Sequence, residues 1–481
     1  MIKNDKYQVV IGLEVHAQLL TKSKLFCGDS TAFGAPPNTH ISPITLAHPG
    51  TLPKMNKEAI EYAVKLGLAL HCDIEQQNYF ARKNYFYPDL PKGYQVSQHT
   101  TPICKNGTIR IKTGETARHI RLNRIHMEED AGKSLHDADK QYTAIDLNRA
   151  GVPLLEIVSE PDLHSSEEAF AYVTELRRLV RWLNICDGNM EEGSMRCDAN
   201  ISIRLKGETK LGTRVEVKNL NSIRNVKRAI DFEVNRLIDI VESGGKVLQQ
   251  TRSYDADNNS TFSLRSKEEA DDYRYFADPD LTPFNITDEF LQTVKALLPA
   301  LPEELEKKYK TIFHLPDYDA KFICGDKALA DFFEAIIQHT TNYKAAVNWL
   351  MGPVKSYLNE KDIDISSFSL SPQKISALIQ MVEDGKVNFS VASSKIFTAL
   401  LAAPLKTPLQ IATEQNLLLE TDSGSVEAWI DEVIAKMPDK IKEYKGGKKG
   451  LIGLFVGEVK KISKGKADMN LVNKLLAEKL N

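Results

Sequence analysis

A chain of 481 residues, 42% of them hydrophobic, is long enough to bury large cores and corresponds to about three domains of ordinary size. A formal charge of −3 excludes attraction of the whole molecule to phosphate polymers, so any nucleic-acid contact has to be local. No apolar run approaches the roughly 18 to 20 residues of a membrane span, Met1–Lys6 leads into a strand with no signal-peptide core, and the six cysteines (Cys27, Cys72, Cys104, Cys186, Cys197, Cys324) form no CxxC pair; a cytoplasmic chain with reduced thiols is expected, without membrane or DNA as partner.

Up to about residue 296 short alternating segments dominate. Gln8–His16, Thr108–Lys112, His119–Ile125, Ala199–Leu205 and Thr213–Lys218 read as strands, and Thr113-Gly-Glu115 reads as a hairpin turn, so the sheet is at least partly antiparallel. Ser165 and Glu168 have capping-box spacing ahead of a helical run from Phe170 to Leu183, and Asn221 opens a second helix to about Val241. The prolines of Leu297-Leu-Pro-Ala-Leu-Pro302 mark a boundary. Beyond it 328–340, 344–358 and 371–383 have helical spacing, Pro404 and Pro408 bracket a linker, and a small helical unit ends in Leu471–Leu480. The expected class is α+β: a mixed, partly antiparallel sheet domain (1–296), an all-α domain (297–408) and a small helical tail domain (409–481).

Three strand-like segments carry the chemistry. In Gly12-Leu-Glu-Val-His16 the period of two puts Glu14 and His16 on one face. In Arg124-Ile-His-Met-Glu-Glu-Asp-Ala-Gly-Lys133, His126 and Glu128 share a face, while Glu129 falls opposite unless the strand ends there; either glutamate can reach a site. Glu156 sits in the apolar run Leu154-Leu-Glu-Ile-Val158, where a carboxylate needs a partner or a metal; the bland alternative is a salt bridge with Arg149. Oxygen-rich ligands with one histidine favour Mg2+ or Mn2+ over zinc.

A second constellation, Arg82-Lys-Asn-Tyr-Phe-Tyr-Pro-Asp-Leu-Pro-Lys-Gly-Tyr94, interleaves rings with cations and suits a nucleotide, with Lys83 or Lys92 on phosphate; no GxxxxGK[ST] or GxGxxG motif occurs. A third, Gly188–Ser202, is an acidic loop running into a strand that would aim Arg196, Asp198 and Asn200 to one side, an arrangement equally typical of a solvated strand face. Near the C-terminus, Lys436–Lys466 holds ten lysines against Asp439, Glu443 and Glu458, a balance of +7 around Lys445-Gly-Gly-Lys-Lys-Gly450.

Val10–His16, Arg82–Asp89, His126–Lys133, Met190–Ser202, Glu216–Ser222, Asp271-Asp-Tyr-Arg-Tyr-Phe276 and Lys448–Val459 resemble, in order and over the whole chain, the B subunit of the aspartyl/glutamyl-tRNA amidotransferase. The resemblance implies a cradle domain, a helical domain and a tail domain. It also implies a reaction: glutamate or aspartate mischarged on tRNA(Gln) or tRNA(Asn) is amidated with ATP, using ammonia from a glutaminase A subunit in a heterotrimer with a small C subunit. By similarity, Glu14, His16, Glu129 and Glu156 are Mg2+ ligands with Glu128 nearby, Glu128, Glu129 and Asp198 are catalytic, and Lys83, Asn84, Tyr85, Tyr87 and Lys92 bind ATP. Lys445, Lys448 and Lys449 then grip tRNA phosphates.

One departure stands out. Some family members carry a zinc site of four cysteines, two around position 27 and two around position 42; here Cys27 is followed by Gly28 and Asp29, and Ser42 and Thr45 replace the second pair, so no zinc is expected. A stand-alone metal-dependent phosphoesterase and a non-catalytic tRNA adaptor are the competing readings.

Overall fold

Apolar residues at alternate positions make Tyr7–Gln18 the central strand of the first unit: Leu13, Val15 and Ala17 are buried in the core, while Glu14 and His16 face the other way. In this computed structural model the described residues are 5–135, 141–266, 273–420, 422–463 and 466–480, and the chain divides into two units, Met1–Pro302 and Glu303–Asn481.

The sheet of the first unit has ten strands. Their order is Ser260–Ser266, Gln250–Asp255, Val215–Leu220, Met195–Leu205, Tyr7–Gln18, Pro153–Ser159, Thr116–Glu129, Cys104–Lys105 and Asp73–Ile74, and Thr108–Thr113 is hairpinned onto Thr116–Glu129 through Gly114. Every pairing is antiparallel except Val215–Leu220 with Gln250–Asp255, so the sheet is mixed, as the sequence predicts. One face is covered by the helices Lys57–Ala69, Ser166–Trp182 and Ile223–Glu242, whose buried Ala63, Val64, Tyr172, Leu176, Ile230 and Leu237 complete a single apolar core. The opposite face is left polar.

Local signals account for the helix ends. Ser165 accepts from the Glu168 N–H at 3.1 Å, and Ser222, rather than Asn221, caps the next helix by accepting from the Asn225 N–H at 3.1 Å. That second helix carries the first unit's most buried charge. Glu233 is fully buried, with its carboxylate 2.7 Å from Arg236, 3.1 Å from Arg252 and bonded to Thr261, which ties the helix to the outer hairpin. Glu233→Ala is expected to destabilise the unit by about 3–5 kcal/mol, because it strands two cations in a dry site, and urea unfolding measures this directly.

In the second unit, Lys327–Ile337 and Pro372–Glu383 are helices, as is Tyr343–Trp349, which passes through a π-turn at Leu350–Val354 into Lys355–Lys361. Pro353 lies in that π-turn; lacking an N–H, it cannot continue the ordinary ladder. Pro408 departs from the linker expectation: it is the first residue of a helix to Glu414, capped by reciprocal Thr407 and Gln410 bonds, a place where its fixed φ is an asset. Ser423–Lys436, Pro438–Lys445, Ile452–Ile462 and Met469–Leu480 bury Val426, Ile430, Phe455, Val459, Val472 and Leu476 in a core of their own. No described helix is long and apolar enough to cross a membrane.

Candidate metal and phosphate site

Sheet register converts the period of two into a site. His16 lies opposite Glu156 on one neighbouring strand and Arg196 on the other, and Glu156 lies opposite His126, so four polar side chains form a row across four strands. Two residues along, Glu14 lies opposite Asp198, and Glu128 stands two residues beyond His126 on the same face. His16 Nε2 is 3.3 Å from Glu156 and 3.6 Å from Glu14, and His126 Nε2 is 3.0 Å from Glu128 and 3.5 Å from Glu156. Ligand atoms of His16, Glu128 and Glu156 lie within 4.8 Å of one another, and those of Glu14, His16 and Asp198 do likewise. Ser97 Oγ and Gln95 Nε2 donate to Glu128 at 2.7 and 3.0 Å and fix its orientation.

The electrostatics are those of a cluster in which buried carboxylates and imidazoles set one another's charge. Burial and then the Glu156 charge drive the Glu14 carboxyl above its ordinary range. Burial opposes the charge on His126, yet Glu156 and Glu128 carry its imidazole up to about 9, and His16 is raised by its bond to Glu156 against the same opposition. Glu156 and Glu128 are held below the usual carboxylate range despite burial, chiefly by His126. Carboxylate oxygens with one imidazole, as in each of the two groups around His16, are the donor set of a hard divalent cation. Among the described residues His126 Nδ1 is buried without a partner, and the ring is held from its other nitrogen by Glu128 and Glu156.

The structure brings together Glu14, His16, Glu128, Glu156 and Asp198, and places Glu129 elsewhere. The Glu129 side chain leaves the opposite face of its strand, bonded to Lys92 and accepting from the Val96 N–H at 2.9 Å. The strand continues through residue 129 instead of ending early, so alternation separates the two glutamates. Nor does Arg149 pair with Glu156: it donates to the carbonyls of Ala131 and Gly132 and lies 3.7 Å from Asp130, while Arg124 is 3.8 Å from Glu156.

Among the expected nucleotide residues, Lys83 and Asn84 end a short strand, Tyr85 follows half-buried, and Tyr87 is exposed. Burial disfavours the Lys83 charge, but Glu128, Tyr275 and Glu156 raise it well above the ordinary lysine value, whereas Lys92 belongs to Glu129. Asp198 is paired with Lys218, which also lies 3.3 Å from Glu216. Lys445, Lys448 and Lys449 are exposed around a turn at Gly447; Lys448 is 3.1 Å from Glu443, and Lys449 lies over the Tyr444 ring at 4.3 Å. At the positions of the missing zinc ligands, Cys27 donates to Asp29 at 3.3 Å and Thr45 donates to the same carboxylate.

Sequence reasoning gave no role to three groups. Lys218 neutralises Asp198; its sequence signals are the polar side of Val215–Leu220 and its place in the Glu216–Ser222 motif. Asp130 anchors the next row by accepting from Gln18 at 2.6 Å and Arg196 at 2.9 Å. The Tyr273 ring lies against Lys83 and Tyr275 packs edge-on against Tyr273; Asp271 and Asp272 of the same motif lie outside the described residues.

Comparison with known proteins shows the family to which the chain belongs. Residues 9–292 match the family described as the GatB/GatE catalytic domain, and residues 331–480 match the GatB domain. The chain is 47% identical to the B subunit of the aspartyl/glutamyl-tRNA(Asn/Gln) amidotransferase of Syntrophotalea carbinolica, with 99% of each chain covered. It is 49% identical to the protein of that name from Alkalilimnicola ehrlichii, covering 99% of this chain and 100% of the other, and 47% identical to the one from Geobacter sulfurreducens, covering 98% and 99%. A charged row on one sheet face, in a chain matched nearly end to end at this identity, makes the protein a member of the GatB/GatE family of amidotransferase B subunits.

Proposed function

We propose that this chain is the transamidating component of a tRNA-dependent amidotransferase, converting Glu-tRNA(Gln), Asp-tRNA(Asn) or both to the cognate amide in the cytoplasm. The observation that carries the reading is the convergence of His16, Glu128 and Glu156, with Glu14 and Asp198 beside them, next to the Lys83 ammonium. A side-chain carboxylate resists attack by an amine, so the terminal phosphoryl group of ATP first moves to it, giving an acyl phosphate and ADP. Ammonia then adds to the carbonyl carbon, loses a proton, and inorganic phosphate departs. Glu14, His16, Glu128, Glu156 and Asp198 are the residues suited to hold Mg2+, with Glu128 in place of the expected Glu129. When bound there, Mg2+ would offset the negative charge of the triphosphate. Lys83 meets the transferred phosphate, and Tyr85 and Tyr87 offer rings beside it.

A glutaminase A subunit and a small C subunit complete the enzyme in this reading. Co-expression with such subunits should yield amidation that requires both ATP and glutamine; a purified complex that amidates neither mischarged tRNA would overturn the proposal. Lys445, Lys448 and Lys449, exposed on one turn, are suited to grip tRNA phosphates. Replacing all three by glutamine is expected to weaken tRNA binding and to flatten its salt dependence by about two to three units of log–log slope, with glutamine hydrolysis intact. Filter binding across a salt series tests this.

A further inference from the structure

Tyr273 has no part in the steps above, yet its ring packs on Lys83. The Lys83 ammonium lies 4.9 Å from the Tyr273 ring centre and 5.8 Å from that of Tyr85. Tyr273 stands nearly edge-on to both Tyr85 and Tyr275, each at 6.0 Å, and Tyr275 stacks flat on His99 at 4.0 Å and 7°. These rings therefore support one another and one cation.

The turn that presents the two tyrosines is strained. Arg274, between them, has φ of +43°, a region that side chains other than glycine seldom adopt and that persists only where surroundings enforce it. The enforcement comes from the residue next to Lys83. The Asn84 backbone N–H donates to the Tyr273 carbonyl at 3.0 Å, and its side-chain amide donates to the Tyr273 carbonyl at 3.2 Å and the Arg274 carbonyl at 2.8 Å. The amide expected to touch ATP is thus engaged with backbone. A lysine stem has four rotatable carbons, and packing its head against rings removes most of that freedom.

We propose that Tyr273 and Tyr275, held by the grip of Asn84 on the strained Arg274 turn, are positioning residues that fix the Lys83 ammonium beside the carboxylate cluster, where it meets the terminal phosphate of a nucleoside triphosphate. The proposal rests on the function proposed above. Its test uses the assembled amidotransferase with ammonium chloride as nitrogen donor, reading KM for ATP, kcat and affinity for tRNA. Tyr273→Leu and Asn84→Asp are each expected to lower kcat/KM for ATP by about 10- to 100-fold, the scale of an ångström-sized misplacement, at unchanged tRNA affinity. Tyr273→Phe keeps the ring face and is expected to restore activity to within about threefold of the parent.

Full activity of Tyr273→Leu and Asn84→Asp beside an inactive Lys83→Ala overturns the positioning role alone. Full activity of Lys83→Ala overturns the reading of the site itself. A Phe variant as impaired as the Leu variant overturns the ring contact as the cause. If Tyr273→Leu does not fold, Asn84→Asp decides by the same measurement.

Discussion

Replacing Glu156 by glutamine is expected to reduce amidation of mischarged tRNA by about a hundred- to a thousandfold, the scale of losing one preorganised electrostatic contact, while tRNA affinity stays at the parent value. Glu156 is buried between His16 at 3.3 Å and His126 at 3.5 Å, and no other carboxylate among the described residues stands opposite both rings. The glutamine is isosteric, so the loss reads charge rather than shape. Single-turnover amidation and filter binding on the same preparation separate the alternatives: a non-catalytic adaptor would keep both, and a misfolded variant would lose both. The phosphoesterase reading makes a different demand, namely phosphate-ester hydrolysis by the chain purified alone.

Asp130→Asn should produce a clear loss of stability near the site, about 1–3 kcal/mol, because it removes a buried carboxylate that is the counter-charge of Arg196 and Arg149, whose own side chains are partly exposed to water. Although burial works against the carboxylate, Arg196 and Arg149 hold it below its ordinary value of 3.8. A carboxyl depressed by folding contributes stability that is complete above its unfolded value and disappears as pH falls through the folded one. The gap between parent and variant should therefore be flat from about pH 5 to 8 and narrow in acid below about pH 4. Urea titrations across that range give the profile, and a gap that widened on acidification would contradict the assignment.

Much of this site was legible because a strand's period is an integer. Glu14 with His16, and His126 with Glu128, share faces by counting alone. Counting fails wherever the strand's end is unknown: Glu129 depended on whether pairing stopped before Ala131, and Pro153 opposite Glu129 shows that it did not. Cross-strand register is also absent from a linear pattern, so that Glu156 faces His16 rather than Arg149 emerges only from the fold. Gln250–Asp255 escaped notice because Thr251 and Ser253 fill its buried positions, leaving no apolar alternation to see. Tyr273 lies in a recognisable motif, but nothing in the sequence brings it to Lys83, 190 positions earlier. The helix start at Ser165 fared better, being written in short-range chemistry, whereas the expected start at Asn221 lies one residue before the cap, Ser222.

The placement of Tyr7–Gln18 at the middle of the sheet sets a timetable for biosynthesis. This strand finds its two partners only in the later-synthesised Pro153–Ser159 and Met195–Leu205, with Tyr7 pairing Leu205. At about 5 to 20 residues per second roughly 7 to 30 seconds pass before the first of these partners is made, an interval in which chaperone capture of the unpaired strand competes with aggregation. Yield in cells should accordingly respond to chaperone supply and growth temperature more than the finished protein's own robustness would suggest.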